Sequence, residues 1–167
     1  MNLYLRLLML FVKSLFRPRI RVMDESKLNF LVLPNDLDVY GHVNNSRYLA
    51  FMDLGRMDLI LRSDLGQIIS QNGWNPVIGS VSISFRRSLK LFEKFTLRTR
   101  IIWWDEKWFY IDQRFESSSQ GVCAFAVAKG VFVKHGRRVP VEQVLAKARV
   151  PMEKPSFPDT LKDTRGS

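Results

Sequence analysis

The segment from Asn35 to Tyr48 carries the densest group of side chains suited to chemistry in this chain. Its sequence is Asn-Asp-Leu-Asp-Val-Tyr-Gly-His-Val-Asn-Asn-Ser-Arg-Tyr, and an amphipathic run follows directly. Asp and Asn favour turns and helix N-caps. Helix N-termini present free N–H groups and partial positive charge, which suit an oxyanion or a carboxylate. The pattern therefore predicts an active site built where a helix begins.

The elements around this segment follow from the spacing of apolar residues. Helices are predicted where apolar residues recur at helical spacing or form a run of helical length, over 2–16, 45–63, 65–71 and 140–148. Strands are predicted in short apolar or alternating runs, over 27–33, from 75 onward, and over 95–104, 108–116 and 122–134. Gly55, in the middle of the long helix, is tolerable if another part of the backbone approaches closely there.

Short polar links between the later strands predict antiparallel hairpins. The predicted fold class is α+β, with a curved antiparallel sheet wrapped around one long central helix and an extra N-terminal helix. Three segments are expected: an apolar and basic helix with its connector over 1–24, the main domain over 25–150, and a polar tail over 151–167. Edge strands of such a sheet can pair in a dimer.

Composition limits the function classes. The chain has 167 residues, 46% of them hydrophobic, which is enough for one domain with one sizeable core. Its 26 basic and 16 acidic residues give a net charge of +10, which favours anionic partners such as anionic lipid or a phosphorylated ligand. A single cysteine excludes an intramolecular disulfide, and no metal or other cofactor is predicted. The chain contains no nucleic-acid-binding motif, so no nucleic-acid partner is expected.

The N-terminal apolar run, residues 3–12, is too short to span a bilayer, which takes roughly 20 apolar residues. Arg6 lies inside the run and the other basic residues follow it, whereas a secretory signal carries its positive charge first. Three interpretations are open. The N-terminal segment contacts a membrane surface peripherally through residues 3–21, its helix packs on the domain or on a partner subunit, or the helix inserts as an anchor. The expected location is cytoplasmic, with membrane contact as the peripheral alternative.

The signature from Asp36 to Tyr48, Asp-x-Asp-x-x-Gly-His-Val-Asn-Asn-x-x-Tyr, resembles that of the hotdog-fold thioesterases. The likeness is greatest to the 4-hydroxybenzoyl-CoA thioesterase-like group and covers about residues 27–135. Plant acyl-ACP thioesterases have the similar stretch Asp-Leu-Asp-Val-Asn-Gln-His-Val-Asn-Asn. A wider likeness, over residues 85–110, is to a membrane-associated mammalian member of the thioesterase superfamily. The resemblance implies the hotdog fold.

The resemblance also implies hydrolysis of an acyl-CoA, or of an acyl-ACP, by a homodimer or homotetramer. In the bacterial relatives the second Asp of the signature carries the chemistry, and this position is Asp38. In the plant enzymes an Asp, an Asn and a His act together, at the positions of Asp38, Tyr40 and His42. Tyr40 stands at the position of that Asn. The resemblance therefore favours Asp38 as the base or nucleophile, with His42 as the second catalytic candidate.

Each candidate has a catalytic and a structural interpretation. Asp38 can activate water or attack the carbonyl, or it can be a turn acid; Asp36 is expected to be a turn residue. His42 can orient water or move a proton, or it can be structural. Amide N–H groups over 43–46 are the expected oxyanion donors. The expected substrate-binding residues are Tyr40, Gly41, Val43, Asn44, Asn45, Tyr48, Ser80, Ser82 and Arg87.

The substrate-binding candidates have alternatives too. Gly41 would let the backbone approach the substrate. Asn44 and Asn45 are otherwise helix caps, and Tyr48 is otherwise a core residue. Ser80 and Ser82 face either a partner subunit's site or solvent. Arg87 and the basic run 134–138 contact CoA phosphates or are simply solvated.

Two other functions compete with thioester hydrolysis. A non-catalytic acyl-CoA or lipid binder would keep the fold without turnover. A hydratase or dehydratase of the same fold needs a differently placed catalytic pair, which is not evident here. A serine-hydrolase triad is disfavoured because the chain has no Gly-x-Ser-x-Gly elbow.

Overall fold

The computed structural model describes residues 3–151, 153 and 155–159. The helices are α1 (Leu3–Phe16), α2 (Asn45–Arg62), α3 (Asp64–Asn72) and α4 (Val141–Lys147). The strands are β1 (Ser26–Leu31), β2 (Asn75–Phe85), β3 (Lys94–Trp104), β4 (Phe109–Ser117), β5 (Gly121–Lys134) and β6 (Arg137–Val139). The sequence predicted all of these within about two residues except β6. It also missed a 3₁₀ turn at Pro34–Asp36. Most of the tail predicted over 151–167 lies outside the described residues.

The strands form one antiparallel sheet in the order β1-β3-β4-β5-β2, and β6 pairs with the end of β5. The predicted hairpins β3–β4 and β4–β5 are confirmed. Strand β2 follows the helices and, among the described strands, pairs only with β5, so it forms one edge of the sheet. Strand β1 forms the other edge, beside β3.

Helix α2 packs directly on the sheet at Gly55. A Cβ atom there would lie 2.5 Å from Thr99 Oγ1, 2.8 Å from Leu97 Cδ2 and 3.0 Å from Gln113 Nε2. The close approach predicted from this glycine is confirmed, but side chains of β3 and β4 make it rather than a backbone. Gln113 is fully buried and donates to the Met52 carbonyl at 3.0 Å, which ties the sheet to the helix.

The core has two clusters along α2. One surrounds the C-terminal half of the helix and includes Leu59, Trp104, Phe132 and Leu145. The other surrounds its N-terminal half and is aromatic, with ring contacts among Tyr48, Phe51, Phe95 and Phe115. The second cluster lies beneath the segment that contains Asp38, since Val43 and Leu37 belong to it.

Helix α1 packs on the domain through Leu7 and Leu10, which join the second core cluster, and through Arg6. The packed alternative for this helix is therefore confirmed. Its other face is exposed and apolar, comprising Tyr4, Leu5, Leu8, Met9, Phe11, Val12, Leu15 and Phe16. Within the described residues, no helix combines the length and apolarity that a membrane crossing requires.

Candidate active site

The segment between the 3₁₀ turn and α2 forms a small hairpin. The amide of Asp38 donates to the His42 carbonyl at 2.8 Å, and the amide of Gly41 donates to the Asp38 carbonyl at 3.1 Å. Leu37 and Val43 pair across its base. Gly41 has a φ of +76°, and a Cβ atom there would contact nothing within 4 Å. This glycine is therefore favoured by the turn conformation rather than by a crowded space.

The Asp38 carboxylate is held by this hairpin. Its Oδ1 atom accepts from the amides of Tyr40 at 2.9 Å and His42 at 3.3 Å, as in an Asx turn. No other described residue donates to its Oδ2 atom. The donors to this carboxylate are therefore amides of its own loop and not amides of α2. One oxygen is thus oriented by the backbone, while the other accepts no hydrogen bond from a described residue.

His42 is half-buried and takes part in the hairpin through its backbone. Its imidazole makes no hydrogen bond to any described residue. The Asp38 carboxylate contacts the amide of His42 and not its ring. The two catalytic candidates are therefore neighbours without forming a carboxylate–imidazole pair.

The first amides of α2 are mostly engaged. Val43 N donates to Leu89 O at 3.0 Å, Asn44 N donates to Asp36 O at 2.9 Å, and Ser46 N donates to Asn44 Oδ1 at 2.9 Å. Three of the four N–H groups expected to be oxyanion donors are thus occupied. Asn45 N has no acceptor among the described residues. Among these four amides, Asn45 N is therefore the remaining candidate for an oxyanion donor. The predicted N-cap role of Asn44 is confirmed.

Asp36 is a turn residue, as the sequence predicted, and it is fully buried. Arg6 donates to its Oδ2 atom at 2.6 Å, and Arg47 Nη2 donates to its Oδ1 atom at 2.9 Å. Neither arginine was predictable as a partner of Asp36, because neither carries a local sequence signal for this pairing. Among the described residues there is no group of His, Cys, Asp and Glu side chains that could hold a metal ion.

The segment 89–90 is a neighbour of the loop that the sequence did not reveal. Besides the Leu89 contact, His42 and Lys90 pair as an isolated antiparallel bridge. Tyr48 lies under this pairing in the core, 5.0 Å from the Phe85 ring centroid. Burial raises the pKa of its phenol, and the Leu89 backbone amide offsets only part of that rise. The core interpretation of Tyr48 is confirmed, and its role beside an acyl chain stays a prediction.

The other candidates are more distant or solvent-facing. Tyr40 is 81% exposed at the hairpin tip. Ser80 and Ser82 are exposed on β2. The β2 residue that contacts Tyr48 is Phe85, and Ser80 lies about 17 Å from it along the extended strand. Arg87 is exposed and donates to the Gln120 carbonyl. Within one chain the structure therefore does not bring the two serines to Asp38.

An apolar cavity of about 260 Å³ lies between the C-terminal half of α2 and the sheet. Its lining includes Met57, Ile60, Pro76, Ile78, Phe109 and Phe132. Met57 is twelve residues beyond Asn45, which corresponds to about 18 Å of helix. The cavity is thus separate from the Asp38 loop but lies along the same helix.

The basic run 134–138 lines a cleft with Trp74 and Lys147. Its cationic side chains are Lys134, Arg137, Arg138 and Lys147, and no acidic side chain of the described residues lines it. Trp74 belongs to the core cluster around the C-terminal half of α2, so the cleft lies away from Asp38 in one chain. A contact between this run and CoA phosphates stays a prediction.

The sheet around α2 and the loop before that helix define a hotdog-type α+β protein, as the signature predicted. The chain belongs to the Thioesterase-like superfamily, whose family model matches residues 32–163. It is 33% identical to Protein THEM6 of Xenopus laevis over 159 residues, which cover 95% of this chain and 76% of that protein. The predicted resemblance to thioesterases is thereby confirmed.

Two solved structures show the same architecture. The probable thioesterase YbaW of Escherichia coli superposes with a TM-score of 0.70 at 26% identity, over 74% of this chain and 95% of that chain. A 4-hydroxybenzoyl-CoA thioesterase variant, in complex with 4-hydroxybenzoyl-CoA, superposes with a TM-score of 0.66 at 16% identity, over 74% and 97%. The second likeness bears on the fold alone.

Proposed function

We propose that this protein hydrolyses an acyl-CoA to a free fatty acid and CoA, with Asp38 as the catalytic carboxylate. Membership of the Thioesterase-like superfamily supports thioester hydrolysis as the reaction class. The observation that carries the proposal is the Asp38 carboxylate: its Oδ1 atom accepts from two loop amides, and its Oδ2 atom accepts no hydrogen bond from a described residue. A carboxylate fixed in this way presents a defined lone pair to a reactant.

In the general-base route, Asp38 takes a proton from water as the water oxygen attacks the thioester carbonyl carbon. The tetrahedral intermediate collapses with cleavage of the C–S bond, and the proton passes to the departing thiolate. In the nucleophilic route, Asp38 Oδ2 attacks the carbonyl carbon, the C–S bond breaks, and the CoA thiolate leaves with formation of a mixed anhydride. Water then hydrolyses the anhydride, which releases the fatty acid and restores Asp38, and a proton from that water goes to the thiolate. In both routes the Asn45 amide is the proposed oxyanion donor, and His42 is close enough in the loop to orient water.

The proposed substrate class is supported by the apolar lining of the cavity along α2 and by the positive net charge of the protein. The apolar cavity along α2 suits a hydrocarbon chain, and a net charge of +10 suits an anionic carrier. Both CoA and ACP are anionic carriers, so the same features also support an acyl-ACP as the alternative substrate. A chain-length series of acyl-CoA esters, beside one acyl-ACP, separates the two.

The proposed active unit is a homo-oligomer. Strand β2 is an eleven-residue edge strand without a charged residue, and such an edge is open to pairing with another strand. Pairing between two β2 strands would bring Ser80 and Ser82 of one subunit towards the other subunit. This is the arrangement that their predicted place in the binding site requires.

The Asp38 assignment is tested by Asp38→Asn, which keeps an Oδ1 acceptor for the loop amides but removes the charge. We expect kcat to fall by about 10²–10⁴-fold with the fold intact, as for loss of a general base. Asp105→Asn is the matched control, because Asp105 Oδ1 also accepts two loop amides, from Lys107 at 2.8 Å and Trp108 at 2.6 Å. Unchanged turnover in Asp38→Asn would refute the assignment.

The second candidate function is a non-catalytic acyl-CoA binder held at a membrane surface. The exposed apolar face of α1, with Lys13, Arg19 and Arg21 nearby, favours contact with an anionic bilayer. Flotation with vesicles of phosphatidylserine and phosphatidylcholine tests this contact, and Leu8→Glu with Phe11→Glu should abolish it. Tight acyl-CoA binding without hydrolysis at any chain length would favour this function over the first.

A further inference from the structure

Helix α1 is connected to the candidate catalytic loop by a buried ion pair. The Arg6 guanidinium is 6% exposed, and its Nη2 atom lies 2.6 Å from Asp36 Oδ2. The same guanidinium stacks on the Phe51 ring, 4.8 Å from its centroid, and donates to the Leu31 carbonyl at 3.4 Å. Because α1 supplies this arginine from 30 residues earlier in the chain, the pair is a tertiary contact between separate elements.

Asp36 holds both ends of the loop that contains Asp38. Its Oδ2 atom also accepts from the Leu33 amide at 3.0 Å, at the entrance to the 3₁₀ turn. Its Oδ1 atom accepts from Arg47 Nε at 3.1 Å and Nη2 at 2.9 Å, in the first turn of α2. Its backbone carbonyl accepts from the amide of Asn44, the N-cap of α2. The residues between these anchors form the hairpin that orients the Asp38 carboxylate.

We propose that Arg6 is a positioning residue for the reaction, acting through Asp36 to set the Asp38–His42 hairpin. The proposal rests on the proposed function, and it makes α1 part of the active-site scaffold. A buried carboxylate that loses one of its cationic partners is left with uncompensated charge, so the surroundings must rearrange or admit water. Asp36 is two residues from Asp38, so this rearrangement reaches the catalytic candidate directly.

A second ion pair provides a matched control. Arg17 follows α1 and donates from Nη1 to Asp58 Oδ1 at 2.9 Å. Asp58 is fully buried like Asp36, and it also accepts from a second arginine, Arg62, at 3.0 Å. Asp58 lies thirteen residues along α2 from Asn45, a distance of about 20 Å. Both pairs attach the N-terminal segment to α2, but only the Arg6 pair contacts the loop.

The experiment compares Arg6→Met, Arg6→Lys and Arg17→Met in the full chain. We expect Arg6→Met to lower kcat by about tenfold to a hundredfold, because misplacement of a catalytic group by about 1 Å has an effect of that size. KM should change less than kcat, since the apolar cavity is not touched. Arg6→Lys keeps the charge and should recover part of the loss, and Arg17→Met should keep the wild-type kcat.

A second readout does not depend on activity. The chain has two histidines, His42 in the loop and His135 in the β5–β6 turn, so their ring-proton resonances are readily assigned. The His42 resonance should shift in Arg6→Met, and to a smaller extent in Arg6→Lys, while His135 stays in place. In Arg17→Met neither resonance should move.

Equal effects of Arg6→Met and Arg17→Met on kcat and on the His42 resonance would overturn the proposal, because they would indicate general loss of stability. An unchanged His42 resonance in Arg6→Met would also overturn it. If Arg6→Met does not fold, Arg6→Lys against Arg17→Met makes the same comparison. If the wild type hydrolyses no thioester, the proposed function fails while the His42 resonance still decides the coupling between α1 and the loop.

Discussion

Asp38 and His42 are joined by two hydrogen bonds, and neither involves the imidazole ring. The Asp38 amide donates to the His42 carbonyl at 2.8 Å, and the His42 amide donates to the Asp38 carboxylate at 3.3 Å. The loop is therefore shaped by its backbone and by one carboxylate oxygen. The His42 ring makes no hydrogen bond to a described residue, so its contribution to chemistry can be tested without breaking a side-chain hydrogen bond of the fold.

His42→Asn tests this contribution. We expect the free energy of unfolding to change by no more than about 0.5 kcal/mol, as for a substitution at a partly exposed side chain that removes no hydrogen bond. We expect kcat to fall by about 10²-fold, the lower range for loss of a group that aids proton transfer. Urea denaturation and steady-state kinetics on the same preparation measure the two effects. A wild-type kcat in this variant would leave Asp38 as the sole catalytic side chain of the loop.

The free edge of β2 predicts how the chain associates. Val77→Lys should weaken self-association, because a charge on an edge strand opposes pairing with another strand. Leu31→Lys is the matched control on the opposite edge, since Leu31 is 40% exposed and Val77 45%. Sedimentation velocity should show a lower mass for Val77→Lys than for the control. Equal masses for the two variants and the wild type would contradict pairing through β2.

Gly55→Ala tests the packing of α2 on the sheet. The added Cβ would lie 2.5 Å from Thr99 Oγ1 and 2.8 Å from Leu97 Cδ2, so the helix or these side chains must move. Overpacking of this kind costs about 1–3 kcal/mol, which outweighs the better helix propensity of alanine. Thermal unfolding should show a lower Tm. Adding Thr99→Ala should recover part of the loss, and additive effects of the two substitutions would argue against the contact.

The ionisation of Glu93 should make the free energy of unfolding depend on pH in the acid range. Burial by itself raises the pKa of its carboxyl, but hydrogen bonds from Ser117, the Lys90 backbone amide, Gln120 and Ser119 together lower it below the ordinary value of 4.5. Because the folded pKa is the lower one, this stabilisation is complete above about pH 4.5 and is lost as pH falls through the folded pKa.

Glu93→Gln should therefore be less stable than the wild type at pH 7, and the difference should shrink as pH falls below 4.5. Urea denaturation at a series of pH values measures it. Glu106→Gln is the control, because the Glu106 side chain is exposed. A difference between Glu93→Gln and the wild type that does not vary with pH would contradict the assignment.

Much of the fold was predictable because its signals are local. Helical spacing predicted α2 to within a residue of Asn45–Arg62, and the change to a two-residue period predicted β2 from Asn75. Strand β6, with three residues, is too short for a periodic signal, and its pairing with β5 is set by the turn between them. The N-cap role of Asn44 was predictable because the capping bond is local: the Asn44 side chain accepts from the amide of Ser46, two residues further on.

The site was predictable only in part. The signature located Asp38, Gly41 and His42, and the sequence correctly made Asp36 a turn residue. It did not reveal that Leu89 and Asp36 accept the amides of Val43 and Asn44. Both acceptors are backbone carbonyls, and every residue type has one, so the residue types do not indicate them. The number of open amides at the start of α2 was consequently overestimated.

The sequence by itself determined the elements, the family signature and the position of the candidate carboxylate, because periodicity, caps and turns depend on neighbours a few residues apart. Only the tertiary structure decided that α1 packs on the domain and that its Arg6 reaches Asp36. The structural role of an arginine inside an apolar run cannot be predicted until its ion-pair partner is known. Here the partner is 30 residues away, and burial of both groups makes the pairing obligatory.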